Sequence, residues 1–130
     1  MMDGESPGPA PSGVAAVDGG VRLPSSETFS GNISEVAKAY VAQTRAALER
    51  DTWAGAGGYD VARRFSIAVD ELVRFVVDNA TVRFAQRYAR AHQRCSVIAQ
   101  GGYGRGEMNP WSDVDLLILY PGRVIPYVET

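Results

Sequence analysis

The sequence predicts an α+β (α/β) fold, in which N-terminal helices precede the first two strands of an apparently truncated sheet. Residues 29–94 carry apolar side chains at helical spacing. Residues 95–130 contain two short apolar runs, the mark of strands, on either side of a glycine-rich turn. With 130 residues and 45% hydrophobic content, the chain is long enough for one small domain.

Residues 1–28 are dominated by Gly, Pro, Ser and Ala and show neither helical nor strand periodicity. A segment of this composition buries too little apolar surface to offset the entropy lost on ordering. We therefore expect a disordered leader. A role as a peptide ligand for a partner is the alternative, although no specific proline-rich motif stands out.

A first helix is predicted from about Ile33 to Arg50, because its apolar residues fall on one face. Asn32, followed three residues later by Glu35, resembles a capping box at the helix start. The glycines that begin at Gly55 favour an end near residues 51–52. We expect Trp53 to pack back onto the helices.

A long helical region is predicted from about Asp60 to His92, with a possible break near Asn79. It contains neither Pro nor Gly, and its apolar residues form a continuous stripe. Its arginines alternate with acidic and apolar residues, so we expect them on the solvated face. The arginines in question are Arg63, Arg64, Arg74, Arg83, Arg87, Arg90 and Arg94. His92 is the one histidine in the sequence, and neither a second histidine nor a pair of cysteines supports a metal site around it.

Composition excludes several classes of protein. The formal net charge of −2 gives no general attraction to nucleic acid, so we expect no nucleic-acid partner. No apolar run approaches the roughly 20 residues of a membrane span, and no signal sequence is present. A single cysteine, Cys95, permits no internal disulfide. Together these features predict a cytoplasmic protein that does not contact a membrane.

The first strand is predicted from Cys95 to Gln100, and the second from about Asp113 to Tyr120. Since alternate strand residues point to the same face, Asp113 and Asp115 should project side by side. Two such carboxylates repel each other unless a cation lies between them, and Mg²⁺ is commonly held by one or two carboxylates together with phosphate oxygens. The sequence therefore predicts that Asp113 and Asp115 bind metal.

Two adjacent glycines, Gly101 and Gly102, are predicted to bind the phosphates that would share the metal with the two aspartates. Without a Cβ, their backbone N–H groups can approach a triphosphate closely. A short helix that starts after them would add a favourable partial charge. The turn contains no lysine, which excludes a Walker A loop, and Glu107 occupies the third glycine position of a dinucleotide fingerprint.

The pattern Gly-Gly, ten intervening residues, then Asp-x-Asp is similar to the signature of the DNA polymerase β-like nucleotidyltransferase superfamily. The longer string from Gly101 to Leu117, GGYGRGEMNPWSDVDLL, resembles one branch, the bacterial PII uridylyltransferase/uridylyl-removing enzymes. The close resemblance covers about residues 97–120. It implies that the two strands begin a polymerase β-like nucleotidyltransferase sheet.

The resemblance also implies the chemistry. A hydroxyl attacks the α-phosphorus of a nucleoside triphosphate, and pyrophosphate leaves. Asp113 and Asp115 would be the catalytic, metal-binding carboxylates for Mg²⁺. Gly101 and Gly102 would hold the phosphates. The nucleotide would be UTP, and the acceptor a tyrosine hydroxyl of the nitrogen-regulatory protein PII.

Two neighbouring residues complete the predicted site. Arg105 is the nearest basic side chain and is assigned to phosphate, with a salt bridge to Glu107 as the alternative. Ser112 is expected to orient the turn that carries the carboxylates. Packing around the turn is the simplest role for Tyr103 and Trp111.

The chain departs from the family pattern in one respect. The superfamily uses a third carboxylate on a later strand, and the family also has hydrolase and regulatory domains. Only fifteen residues follow Asp115, and Glu129 is the sole acidic residue among them. We therefore expect a fragment that is inactive alone. The alternatives are a remnant that binds nucleotide or a partner without catalysis, and a nucleotidyltransferase of another branch with a different substrate.

Overall fold

A computed structural model describes residues 15–17, 20–87 and 95–120. In chain order its elements are β1 (Ala15–Val17), β2 (Gly20–Arg22), α1 (Ile33–Trp53), α2 (Gly58–Arg87), β3 (Ser96–Ala99), α3 (Gly101–Gly104) and β4 (Leu116–Leu119). Helix dominates, and β3 and β4 form a two-stranded antiparallel sheet. This arrangement confirms the predicted α+β class.

Helix α1 begins at the predicted cap. The side-chain oxygen of Asn32 accepts hydrogen bonds from the backbone N–H groups of Ser34 and Glu35, at 2.9 and 3.4 Å. These bonds satisfy two of the donors that a helix start leaves without partners. Four residues at a spacing of four, Val36, Tyr40, Thr44 and Leu48, are buried. They form the face that α1 presents to the rest of the fold.

The prediction for Trp53 is wrong, because its side chain is 85% exposed. Helix α1 continues to Trp53, three residues beyond the predicted end. On a helix, Trp53 therefore lies about 140° around the axis from Leu48, away from the buried stripe. Gly55, two residues after Trp53, has φ of 101° and lies in the connection to α2.

Helix α2 is continuous through Asn79, so the break considered at this residue does not occur. Asn79 is only 1% exposed, and its amide group donates a hydrogen bond to the carbonyl of Phe75 at 2.8 Å. This local bond lets a polar side chain be buried inside the helix without loss of a partner. The predicted C-terminal residues of this helix, 88–94 with His92, lie outside the described residues.

The arginines of α2 are on its exposed side, as predicted for the described part of the helix. Arg63, Arg64, Arg74, Arg83 and Arg87 are all exposed. Arg64 pairs with Asp51 and Asp60, and Arg74 pairs with Asp70. These contacts fit a solvated, salt-bridged helix face. Arg90 and Arg94 lie outside the described residues.

Strands β3 and β4 pair in the register Ser96 with Leu119 and Ala99 with Leu116. Both are shorter than predicted, and β4 begins after the two aspartates. The strand alternation that places Asp113 and Asp115 on one face is therefore not supplied by β4 itself. Asp115 does extend the pairing by one step, since its carbonyl accepts a hydrogen bond from Gln100 N–H at 3.0 Å.

A short antiparallel pair, β1 with β2, lies within the segment predicted to be a disordered leader. The expectation of no strand there is wrong for residues 15–17 and 20–22. The apolar periodicity is too short to reveal these strands, because each has three residues. A weaker signal was available: the intervening dipeptide Asp18-Gly19 is a sequence favoured in two-residue hairpin connections.

The core joins the two long helices to the segment after β3. Its buried members are Leu48, Val61, Phe65, Val69, Tyr103 and Met108. Tyr103 and Met108 belong to the glycine-rich motif between β3 and β4, so packing of the core also fixes the position of that motif. In the described part of the chain, no helix has both the length and the apolar content of a membrane span.

Candidate functional site

The glycine turn, residues 101–106, begins where β3 ends. Gly101 has φ of 56°, a conformation that L-residues with a side chain rarely adopt. A Cβ on Gly101 would lie 3.0 Å from the carboxylate oxygen Oδ2 of Asp115. The structure therefore brings the first glycine of the motif and its second aspartate into direct proximity.

Two further glycines of the turn, Gly102 and Gly104, are also closely packed. A Cβ on Gly104 would lie 2.7 Å from the carbonyl oxygen of Ala99, and one on Gly102 would lie 3.3 Å from that of Glu107. The glycines at 101, 102 and 104 thus allow α3 to fold back onto the end of β3. The N–H groups of Gly101 and Gly102 lie in the first turn of α3, where a helix supplies no acceptor for them.

Two hydrogen bonds attach the glycine turn and the residues just after it to helix α2. The backbone N–H of Met108 donates to Ser66 Oγ at 2.9 Å, and both residues are buried. The hydroxyl of Tyr103 donates to Asp70 Oδ1 at 3.1 Å, while Asp70 also pairs with Arg74. Because the partners lie on one rigid helix, the glycine turn has a fixed position relative to the core.

The Tyr103 phenol is the clearest electrostatic feature of this contact. Burial raises the pKa of Tyr103 to about 12, and the hydrogen bond to the Asp70 carboxylate adds to the increase. The charged phenolate would lose hydration and face a negative carboxylate. Tyr103 is therefore a neutral hydrogen-bond donor at physiological pH.

The carboxylate turn, residues 109–115, leads from Met108 to β4. Asn109 organises its first half: its side-chain oxygen accepts from Trp111 N–H at 2.9 Å, and its carbonyl accepts from Ser112 N–H and Oγ at 3.0 and 2.8 Å. Ser112 thus bonds to the backbone of the turn, and its orienting role toward the carboxylates stays a prediction. Asp113 and Asp115 are both exposed, so their carboxylates are accessible to a ligand.

Arg105, predicted to contact phosphate or Glu107, lies at the far end of the glycine turn. Its Nε is 4.0 Å from Glu107 Oε2, and both side chains are largely exposed. Such a pair contributes little to stability, so Arg105 is available to an anion. Arg105 also lines a cleft of about 410 Å³ with Tyr59, Arg63 and other residues, and neither predicted carboxylate lines this cleft.

The two exposed aspartates of the carboxylate turn are of the residue type that binds a hard cation, and one of them, Asp115, lies beside Gly101. Carboxylate oxygens from Asp113 and Asp115 are the donors that Mg²⁺ prefers, and its remaining positions are commonly filled by phosphate and water. The described residues contain no cluster of three or more His, Cys, Asp or Glu side chains that could hold a metal. The donor set therefore fits Mg²⁺ shared with a nucleotide, rather than a closed metal centre made by protein alone.

Several residues of the site were not found from the sequence. The Asn109-Pro110 dipeptide is a recognised turn signal and could have identified Asn109. The contacts from Ser66 and Asp70 could not be predicted, since these helix residues lie 42 and 33 positions from their partners. The same holds for Arg45, whose Nε donates to the carbonyl of Pro110 across 65 positions.

Comparison with known protein families gives a match over the region that contains the glycine turn and the carboxylate turn. Residues 82–127 match the family model of the nucleotidyltransferase domain. No solved structure gives a significant match.

Three curated relatives are described as bifunctional uridylyltransferase/uridylyl-removing enzymes. The protein from Erythrobacter litoralis is 40% identical over 73 residues, which are 55% of this chain and 8% of the relative. The protein from Phenylobacterium zucineum is 40% identical over 77 residues, 58% of this chain and 8% of the relative. That from a Bradyrhizobium strain is 33% identical over 105 residues, 80% of this chain and 11% of the relative. The chain thus spans about a tenth of the length of these relatives.

The close approach at Gly104 predicts a large effect of one added methyl group. Gly104→Ala should lower the free energy of unfolding by about 1–3 kcal/mol, since its Cβ would overlap a backbone carbonyl and force α3 away from β3. Gly58→Ala is the matched control, because nothing lies within 4 Å of its added Cβ. Urea unfolding of both variants measures the difference. Equal stability would contradict the described packing.

The Tyr103 pKa predicts a pH dependence. The folded chain holds this proton more tightly than the unfolded chain, in which the pKa is near 10. The resulting stabilisation is complete below pH 10 and is lost as the pH rises through about 12. Tyr103→Phe should therefore lose stability less steeply between these values than the wild type, measured by thermal unfolding. Tyr59→Phe, at a 65% exposed position, should retain the wild-type slope, and an unchanged slope in Tyr103→Phe would contradict the assignment.

Proposed function

We propose that this chain is the N-terminal nucleotidyltransferase segment of an enzyme that transfers UMP from UTP to a tyrosine of the protein PII. The observation that carries the proposal is the proximity of Asp115 Oδ2 to Gly101. This proximity places a carboxylate that could bind metal beside a backbone segment that could bind phosphate. The resemblance of residues 82–127 to nucleotidyltransferase domains supports the reaction class, and the names of the relatives support the uridylyl group.

In this proposal the glycine turn binds the triphosphate. The N–H groups of Gly101 and Gly102 lie in the first turn of α3 and donate to phosphate oxygens. The absence of a Cβ at these positions lets the phosphates approach the backbone closely. Arg105 supplies a positive charge at the far end of the turn.

The carboxylate turn holds Mg²⁺ through Asp113 and Asp115. Bound there with the nucleotide, Mg²⁺ would neutralise phosphate charge and lower the pKa of the attacking hydroxyl. Ser112 and Asn109 maintain the shape of the turn that carries Asp113. The contact between Gly101 and Asp115 sets the distance between the metal-binding and phosphate-binding groups, and such positioning accounts for much of the rate in phosphoryl and nucleotidyl transfer.

PII as the acceptor rests on the resemblance to uridylyltransferases, and the cytoplasm as the location rests on the features of the sequence given above. A second candidate function is binding of Mg²⁺–nucleotide without transfer by the 130-residue chain. The glycine turn and the two exposed aspartates account for such binding, whereas transfer would also use the third carboxylate that the resemblance implies on a later strand. Measuring UTP binding and UMP transfer separately distinguishes these functions.

The test uses the wild-type chain and one matched pair of variants. Asp115→Asn should weaken Mg²⁺-dependent UTP binding by at least about tenfold, since even the outer partners of metal ligands contribute about 10- to 100-fold to affinity. Asp78→Asn, which changes an exposed aspartate of α2, should bind as the wild type does. Isothermal titration with UTP, with and without Mg²⁺, measures the affinities.

Transfer is followed with UTP labelled at the α-phosphate and purified PII, beside a full-length uridylyltransferase. Label on PII supports transfer, whereas Mg²⁺-dependent binding without label supports the second candidate. If the folded wild-type chain binds UTP equally well with and without Mg²⁺, the proposed site is wrong.

A further inference from the structure

We propose that Arg45 of α1 is a positioning residue, which anchors the carboxylate turn and thereby sets the affinity of Asp113 and Asp115 for metal. The inference rests on the proposed function of those aspartates. It concerns a residue on the first helix, far in sequence from the motif, which contacts neither metal nor nucleotide in the proposal.

Arg45 contacts two consecutive residues of the carboxylate turn. Its Nε donates a hydrogen bond to the carbonyl oxygen of Pro110 at 2.6 Å. Its guanidinium carbon lies 4.8 Å from the ring centroid of Trp111, within the range of a cation–π contact. One side chain thus holds the turn by a backbone bond and by a ring contact.

Arg45 is itself fixed by the core. Its guanidinium carbon lies 5.7 Å from the ring centroid of Phe65, a residue of α2 that is 2% exposed. Trp111, by contrast, is 72% exposed. Burial therefore contributes little to holding the Trp111 ring in place, and the contact with Arg45 carries that role. Through Arg45, the exposed turn is connected to a buried side chain.

The hydrogen bonds made by Asn109 determine the shape of the first half of the turn and not its place on the protein. The bonds from Trp111 and Ser112 to Asn109 are confined to the turn itself. Just before the turn, Met108 N–H donates to Ser66 Oγ, and at the last residue of the turn the carbonyl of Asp115 accepts from Gln100 N–H. Arg45 holds the turn between these two attachments, with two residues separating Pro110 from Asp113.

A small displacement here should have a large effect. An error of ~1 Å in the position of reacting groups can cost about a hundredfold in rate, and metal affinity depends on ligand position in the same way. Lysine cannot replace arginine at this position, since an ammonium group lacks the planar guanidinium that donates at its edge while its face lies against a ring. Arg45→Lys should therefore recover little of what Arg45→Ala loses.

The first experiment measures the mobility of the turn. The sequence has two tryptophans, so a Trp53→Phe background leaves Trp111 as the sole indole. In this background, Arg45→Ala should lower the fluorescence anisotropy of Trp111 and raise its quenching by acrylamide at least about twofold. Arg50→Ala, at an exposed position of the same helix, should change neither. Unchanged anisotropy and quenching in Arg45→Ala would overturn the anchoring role.

The second experiment measures affinity for Mg²⁺–UTP by isothermal titration. Arg45→Ala and Arg45→Lys should each bind at least about tenfold more weakly than the wild type. Val36→Ala, which truncates a 2% exposed residue of α1, controls for loss of stability. If Val36→Ala lowers the melting temperature as much as Arg45→Ala and weakens binding equally, Arg45 acts through stability alone and the positioning role is excluded.

The two experiments also separate this inference from the function on which it rests. If the folded wild-type chain shows no Mg²⁺-dependent UTP binding, the proposed function fails, and with it the effect of Arg45 on metal affinity. The Trp111 measurements would still support or contradict the anchoring of the turn. Wild-type binding that is retained in Arg45→Ala, despite a mobile Trp111, would contradict the positioning role while leaving the proposed function intact.

Discussion

The hydrogen bond from Met108 N–H to Ser66 Oγ is the contact on which the arrangement of the site depends. Met108 is 1% exposed and lies between the glycine turn and the carboxylate turn. A buried N–H without a partner would cost about 1–3 kcal/mol, so Ser66 determines where this strand connection can lie on α2. Tyr103 and Arg45 then attach the turns on either side. The groups proposed to bind metal and phosphate can remain at the surface because Tyr103 and Met108, which lie between them in the sequence, are buried.

The helices were predictable because their signals are local. Asn32 and the spacing of the apolar residues gave the start and the buried face of α1, and the absence of Pro and Gly gave the long α2. The errors also have local causes. Asn79 suggested a break, but its amide group bonds within the helix, and Trp53 lies off the buried stripe because α1 is longer than its glycine signal indicated.

The sequence motif selects the residues of the candidate site but does not give their geometry. The motif identified Gly101, Gly102, Asp113 and Asp115, because glycine and paired carboxylates have few other reasons to occur in this spacing. Strand alternation does not explain the positions of Asp113 and Asp115, because β4 begins only at Leu116, after both aspartates. The proximity of Asp115 to Gly101 comes instead from the folded turn, and the contacts from Ser66, Asp70 and Arg45 depend on tertiary packing that no sequence period encodes.

The central claim is that the glycine turn and the two aspartates form a single metal–nucleotide site. Anomalous diffraction from crystals grown with Mn²⁺ and UTP tests it most directly, because Mn²⁺ takes the same oxygen ligands as Mg²⁺ and can be located independently of the protein. We expect a Mn²⁺ peak at coordination distance from the carboxylates of Asp113 and Asp115, with UTP phosphates at the N–H groups of Gly101 and Gly102. A peak bound by neither aspartate, or phosphates held elsewhere on the chain, would contradict it.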